Sequence, residues 1–119
     1  CSNAAQALRP GGRFVFECGG AGNLVGLARA AVPLGLRMPT CVYRTPEEAA
    51  SVLEVAGFDV ERARLQADPW TPQTRDECIR FLKSVIFHRE PVWLLERLVD
   101  ENPRLEIDYV RLQVSARRR

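Results

Sequence analysis

The sequence predicts an α/β fold built on one sheet of about three strands with flanking helices. Three observations predict it. A short apolar run at residues 13–19 leads into a glycine-rich loop and then into an amphipathic segment. A helix start with threonine, proline and two glutamates at residues 45–48 precedes a second apolar run. A third apolar run occupies residues 105–115.

Length and composition indicate a single folded domain. The 119 residues are 46% hydrophobic and 27% charged, which favours a packed core over disorder. The net charge is +2, and Arg117, Arg118 and Arg119 are expected to be a frayed, solvated terminus with no nucleic-acid partner. No run approaches the roughly 20 apolar residues of a membrane span, and no signal peptide is evident. We therefore expect a cytoplasmic protein with no membrane partner.

The cysteines do not indicate a metal site. No two of the four form a CxxC pair, and the single histidine, His88, stands apart from them. We expect Cys18, on a strand, and Cys78, on a helix, to be small buried hydrophobic residues.

The first strand is expected at residues 13–18. Residues 2–8 have the composition of a last helical turn or two, which the turn at residues 10–12 stops. The phenylalanines of the strand and Cys18 share one face, and Val15 lies on the other. Both faces are therefore apolar enough to lie under helices.

A glycine-rich loop follows at the carboxyl end of this strand. Gly19, Gly20 and Gly22 free the backbone there, and in open α/β sheets ligands bind at the carboxyl ends of strands. Asn23 is predicted as the N-cap of a helix to about residue 32. The predicted buried stripe of that helix is Leu24, Leu27, Ala28 and Ala31.

The clearest helix start follows an irregular segment at residues 36–44. Thr45 is placed as the N-cap, Pro46 as the first helical residue and Glu48 as the partner in a capping box. Gly57 then supplies the C-terminal cap.

A second strand is expected at residues 58–65, and a loop at residues 67–74. The apolar positions of this strand change phase after Val60, which fits either burial on both faces or a bulge. Two amphipathic helices then form an insertion at residues 74–103. Within it, Trp93 is expected to pack.

The last strand is expected at residues 105–115. Its apolar positions change from odd to even numbers after Tyr109, so its two ends present different faces to a core. His88, in the preceding insertion, is expected at the surface.

Three segments resemble class I S-adenosylmethionine-dependent methyltransferases. LRPGGRFVFE and its continuation ECGGAGNL, at residues 8–24, are similar to the turn, the fifth strand and the GGxGN loop of one subgroup. TPEEAASVLEVAGFDVERARL, at residues 45–65, resembles the penultimate helix and sixth strand. IDYVRLQVSARR, at residues 107–118, resembles the last strand. The resemblance implies a partial Rossmann-like sheet whose last strand lies antiparallel between the other two.

The motifs that hold the cofactor in this family do not occur in these 119 residues. They are a glycine-rich loop after the first strand and an acidic residue that ends the second. The chain therefore resembles the carboxyl-terminal, substrate-side half of such an enzyme, and S-adenosylmethionine is a cofactor by resemblance only. A start at Cys1 without methionine adds the expectation of a truncated chain. We expect the chain to be inactive without the missing N-terminal half.

The resemblance places an active-site rim or substrate-binding surface around the glycine-rich loop. The implied residues are Glu17, Gly19, Gly20, Gly22, Asn23 and Trp70. Structural alternatives are also expected. Glu17 would be a salt-bridged or solvated residue, the three glycines would permit a strand-to-helix turn, and Trp70 would belong to the core. None is assigned as catalytic or cofactor-binding, because methyl transfer depends mainly on positioning the acceptor. The insertion is expected either to help form the pocket for a small-molecule substrate or to cover a sheet edge.

The residues bear on two other functions. A dinucleotide-binding fingerprint fails because its third glycine would fall at Val25, and the acidic residue about 20 positions later is missing. The alternative that remains is a methyltransferase-like remnant acting as a dimeric binding or interaction module. The outer edge of the first strand would be bare and apolar, and a second copy pairing with it would give a homodimer.

Overall fold

The computed structural model describes residues 7–119, so Cys1 and most of the helical turn expected at residues 2–8 lie outside the described residues. The described part contains three strands and four α-helices. The strands are β1 (Arg13–Gly19), β2 (Phe58–Trp70) and β3 (Ile107–Arg118). The helices are α1 (Val25–Ala31), α2 (Pro46–Val55), α3 (Arg75–Phe81) and α4 (Val92–Glu101). A 3-10 turn (Val32–Leu34) follows α1, and a π-helical segment (Leu82–Ile86) continues α3.

The three strands form one open sheet in the order β1-β3-β2. β1 is antiparallel to β3, with Arg13 opposite Arg117. β2 is also antiparallel to β3, because Asp59 near its start contacts Arg119 while Asp68 near its end contacts Arg111. The predicted α/β class, the three strands and the antiparallel last strand are thus confirmed.

The chain divides into two compact units. The first, here called the sheet unit, contains Tyr43–Asp68, Val110–Arg119 and the described residues up to Asn23. The second, the helical unit, contains Leu24–Val42 and Pro69–Tyr109.

The core of the sheet unit forms where α2 packs on one face of the strands. Its buried residues are Ala49, Leu53, Phe58, Leu112, Val114 and Ala116. The predicted capping box of α2 is confirmed: Thr45 Oγ1 accepts from the Glu48 amide, and a Glu48 carboxylate oxygen accepts from the Thr45 amide, both at 3.1 Å. Gly57, with φ 99°, ends the helix as predicted.

The other face of β1 is not covered by the described residues. Cys18 is exposed, so the prediction that it would be buried was wrong, although it follows Phe14 and Phe16 along the face that packs against the core. Val15, on the other face, is 64% exposed, so the prediction that both faces would be covered was wrong. The sequence pattern failed because α2 covers one face only. On the open face, Glu61 accepts from Arg117 Nε at 3.1 Å and lies 3.5 Å from Arg13 Nε.

β2 is longer than the sequence predicted. It continues to Trp70, through the segment expected to be a loop. Pro69 is tolerated because β2 lies at the sheet edge, where a missing amide hydrogen breaks no ladder bond. Val60 and Ala63 both pack against the core of the sheet unit. The inward-facing positions of β2 therefore change from even to odd numbers, as expected for a bulge.

β3 likewise extends beyond the expected end. Ile107 is buried in the helical unit, whereas the even-numbered Leu112 is buried in the sheet unit, which confirms the predicted change of phase. The arginines at the end of β3 are not frayed, contrary to expectation. Arg119 donates its amide to the Gly57 carbonyl at 2.9 Å. The Arg118 amide donates to the Gly12 carbonyl at 2.9 Å, and the Arg118 carbonyl accepts from the Gly11 amide at 2.8 Å.

The helical unit has its own core, formed by α1, α3, α4 and the π-helical segment. Its fully buried centre includes Leu27, Leu82, Leu95, Leu98 and Ile107. Cys78 is buried as predicted, and His88 is exposed as predicted. Trp93, however, is 64% exposed, because α4 turns Leu94, Leu95 and Leu98 inward instead.

Candidate functional site

The glycine-rich loop lies where β1 leaves the sheet, and each glycine has a structural reason. A Cβ on Gly19 would stand 2.8 Å from the Tyr43 ring, and one on Gly20 would stand 3.0 Å from the Leu112 Cβ. Both distances are closer than carbon atoms normally approach. Gly22 has φ 88°, a conformation that glycine adopts readily. The loop is therefore a tight turn whose shape depends on all three glycines.

Most amides of this loop are used within the protein. In the sheet unit, Gly20 donates to the Val110 carbonyl at 2.9 Å, Ala21 to the Arg44 carbonyl at 2.9 Å, and Asn23 to the Gly20 carbonyl at 3.0 Å. Gly20 and Arg44 also form a short parallel bridge. These three amides are therefore unavailable to bind an anion, as the free amides of a backbone nest would.

Asn23 is buried, with 8% of its surface exposed. Its Oδ1 accepts from the Val110 amide at 2.7 Å, so the side chain fixes the loop to β3. The prediction that Asn23 caps α1 was wrong, since the N-cap is Leu24, with φ 59° and no side-chain hydrogen bond. The asparagine is unavailable for capping because it is held by β3.

The cap of α1 comes from a distant residue, Asp108. Within the helical unit its two carboxylate oxygens accept from the amides of Gly26, at 2.6 Å, and Leu27, at 3.1 Å. Its carbonyl accepts from the Leu24 amide at 3.0 Å. A dinucleotide site would place its pyrophosphate at this helix start, and here a carboxylate already occupies the position.

Glu17 lies on the exposed face of β1. Its carboxylate accepts from Gln113 Nε2 at 3.1 Å and lies 3.5 Å from Arg111 Nε. Arg111 in turn contacts Asp68 at 2.6 Å. Glu17 is therefore part of a polar network across the sheet.

Trp70 belongs to the helical unit, whereas the other five predicted site residues belong to the sheet unit. Its ring packs edge-on against Phe81 at 4.8 Å between centroids, and Phe81 packs against Tyr109 at 6.3 Å. Trp70 is half-buried in this aromatic cluster. The structure thus groups Glu17, the three glycines and Asn23, and describes Trp70 within a separate unit.

Sequence reasoning missed Tyr43. This half-buried aromatic lies against Gly19 in the sheet unit, at the edge of the loop. The only signal in the sequence was an aromatic residue near the end of the irregular segment at residues 36–44.

The thiol of Cys78 and the carboxyl of Asp100, both in the helical unit, have shifted pKa values. Burial raises the pKa of the Cys78 thiol, and the nearby Glu77 charge raises it further, so the thiol stays protonated and unreactive. Hydrogen bonds from Arg75 lower the pKa of the Asp100 carboxyl. Both shifts have structural causes and neither produces a nucleophile.

A complete site for S-adenosylmethionine does not fit the described residues. The first-turn amides of α1 are taken by Asp108, and the loop amides of Gly20, Ala21 and Asn23 are taken within the sheet unit. The Gly19 backbone and the Tyr43 ring lie beside each other at the edge of the loop. These can form one wall of a pocket, and the main cofactor contacts would have to come from other residues.

Within residues 7–119, no three histidine, cysteine, aspartate or glutamate side chains are close enough together to bind one metal ion. No helix in that range is long and apolar enough to cross a membrane. The chain matches no family model, and no curated protein is significantly similar to it.

Proposed function

We propose that this chain is the carboxyl-terminal, substrate-side half of an S-adenosylmethionine-dependent methyltransferase. The observation that carries the proposal is the strand order β1-β3-β2, with β3 antiparallel between two strands that run in one direction. That is the arrangement which the resemblance implies for the last three strands of the family.

The position of the glycine-rich loop supports the same proposal. The loop leaves the carboxyl end of β1, where open α/β sheets bind ligands. Because its geometry is fixed by Asn23 and by close packing of Gly19 and Gly20, it can serve as a rigid wall beside an acceptor, and positioning is what methyl transfer chiefly requires. The chain is proposed to be inactive alone, since the described residues do not form a complete cofactor site.

The test is a titration of S-adenosylhomocysteine followed by calorimetry and by amide NMR shifts. We expect no calorimetric binding tighter than about 100 μM, and weak shifts at millimolar concentration that cluster at residues 19–23. Adenosine alone, which lacks the amino-acid half, is the matched ligand control. Shifts scattered over both units, or none at 10 mM, would contradict the proposal. Tight binding would instead indicate that this chain carries the whole cofactor site.

A second candidate is a dimeric binding or interaction module. The observation that favours it is the outer edge of β1, which has no strand partner among the described residues and exposes Val15. Unpaired apolar edges promote pairing with another strand. Sedimentation equilibrium tests this candidate, which requires a dimer at micromolar concentration and is refuted by a monomer.

A further inference from the structure

An open cleft lies in the helical unit, between the segment after the 3-10 turn and the turn that precedes α4. Its volume is about 560 Å³, within the range of small-molecule sites. We call it the basic cleft. Its lining includes Arg37, Pro39, Ile86, His88, Arg89 and Glu90.

The walls of the basic cleft are held in place by the protein itself. Lys83 Nζ donates to the carbonyls of His88, at 2.9 Å, and Glu90, at 2.7 Å, which fixes the turn. The Arg37 amide donates to Glu90 Oε1 at 3.2 Å, which ties the opposite wall to the same turn. A ligand would therefore meet a preformed site and would lose little affinity to ordering it.

The charge of the cleft is unbalanced. Arg37 and Arg89 are exposed, and within residues 7–119 neither guanidinium makes an ion pair or a hydrogen bond. Elsewhere in the same unit, Arg75 is paired with Asp100 at 2.7 Å. The acidic residue of the cleft, Glu90, already accepts a hydrogen bond from the Arg37 amide.

The apolar part of the lining is Pro39, Ile86 and Phe87, beside the polar Thr40 and His88. Pro39 is exposed, and Ile86 and Phe87 are buried beneath the surface, with 8% and 2% of their area exposed. A site that combines two guanidinium groups with an apolar floor fits a small anion with a hydrophobic body. Arginine binds a carboxylate through two parallel hydrogen bonds.

We propose that the basic cleft binds a small carboxylate with an apolar body. The binding of the carboxylate stands on the cleft alone.

The experiment is an NMR titration of the 119-residue chain with phenylacetate. Phenylacetamide is the neutral control of the same shape, and inorganic phosphate tests whether charge alone is sufficient. We expect a dissociation constant of about 1 mM for phenylacetate, with amide shifts concentrated at residue 37 and residues 86–90. Equal shifts with phenylacetamide, full competition by equimolar phosphate, or no shifts at 10 mM would overturn the proposal.

Variants assign the effect to the cleft. Arg37→Gln and Arg89→Gln should each weaken phenylacetate binding by about threefold to tenfold. Arg29→Gln, which removes the same charge from the exposed side of α1, should leave binding unchanged. Equal weakening by all three variants would show a general charge effect and refute the site.

The outcome is separable from that of the methyltransferase proposal because its readout is carboxylate binding. Phenylacetate binding with a failed S-adenosylhomocysteine titration would leave an anion site without a role in methyl transfer. If phenylacetate does not bind but S-adenosylhomocysteine shifts the amides of residues 19–23, the carboxylate site is refuted and the methyltransferase proposal is unaffected.

Discussion

Gly20 is buried where β1 passes into the loop, so a single added methyl group there should destabilise the fold. A Cβ at this position would overlap the Leu65 side chain and stand 3.0 Å from the Leu112 Cβ. Because cores tolerate overpacking poorly, Gly20→Ala should lower the free energy of unfolding by about 1–3 kcal/mol. Urea unfolding followed by circular dichroism measures the loss.

Truncation of Leu65 provides the control for this overlap. Leu65 is 38% exposed, so Leu65→Ala alone should cost little, and in the double variant it should restore part of the stability that Gly20→Ala removes. A double-mutant cycle would then give a coupling energy above about 0.5 kcal/mol. Strict additivity would mean that overlap with Leu65 is not the cause.

Asn23 is the residue whose loss should have the most local signature. Asn23→Ala leaves the Val110 amide without its acceptor at 2.7 Å, and a buried unpaired donor costs about 1–3 kcal/mol. Hydrogen exchange should show faster exchange at Val110. The Val114 amide, farther along the same strand, is the internal reference. If both amides accelerate equally, the effect is a general loss of stability.

Residue-level prediction from the sequence succeeded where the partner was close in the chain. Thr45 and Glu48 are three positions apart, and their capping box was predictable from propensity alone. Asp108 and Gly26 are separated by 82 positions, so no local pattern could assign that cap. Asparagine is common at N-caps, yet the Asn23 side chain instead accepts a hydrogen bond from Val110 of β3. Tertiary contacts therefore decided this position against local preference.

Among the elements, α3 and α4 are joined by a surface ion pair that can be tested by pH. Arg75 donates to both carboxylate oxygens of Asp100, at 2.7 and 3.1 Å, and these bonds lower the pKa of Asp100 from its ordinary value of 3.8. A carboxyl with a lowered folded-state pKa stabilises the fold above its unfolded-state pKa. That contribution is lost as the pH falls through the folded-state value.

Arg75→Gln should therefore lower the urea midpoint at pH 7, and the difference from the wild type should shrink as the pH falls from about 4 to about 2. In the variant, the pKa of Asp100 measured by carboxyl NMR should rise toward 3.8. Arg97→Gln is the matched control, because Arg97 pairs with Glu101 inside one helix at 3.2 Å. An Asp100 pKa that stays low in Arg75→Gln would refute the assigned cause.

The elements were predictable in kind and less so in extent. The apolar patterns located the three strands and four helices of residues 7–119, because periodicity reports burial on one side. The end of β2 was missed, because Pro69 argues against a strand unless the strand is known to lie at an edge. Trp93 was misplaced for a related reason. Its helix has more apolar residues than its buried face accommodates, and only the packing shows which remain outside.

At the scale of the whole molecule, the open edge of β1 bears on oligomerisation. If two copies pair along this edge, Val15→Lys should convert a dimer into a monomer, because a lysine on an edge strand opposes strand pairing. Val55→Lys, at a position on α2 that is 91% exposed, should leave the dimer intact. Sedimentation of both variants beside the wild type gives the comparison. A dimer that survives Val15→Lys would place the interface elsewhere.

The strand order also governs when the sheet can form. β1 and β2 do not pair with one another. Each of them pairs with β3. Residues that face each other, such as Arg13 and Arg117, lie roughly 100 positions apart in the chain. During synthesis, α2 and both outer strands therefore leave the ribosome before their shared partner exists. Until then the core of the sheet unit lacks Leu112, Val114 and Ala116, the residues that β3 contributes. The nascent chain should thus depend on chaperones late in translation, when a partly made sheet is most prone to aggregate.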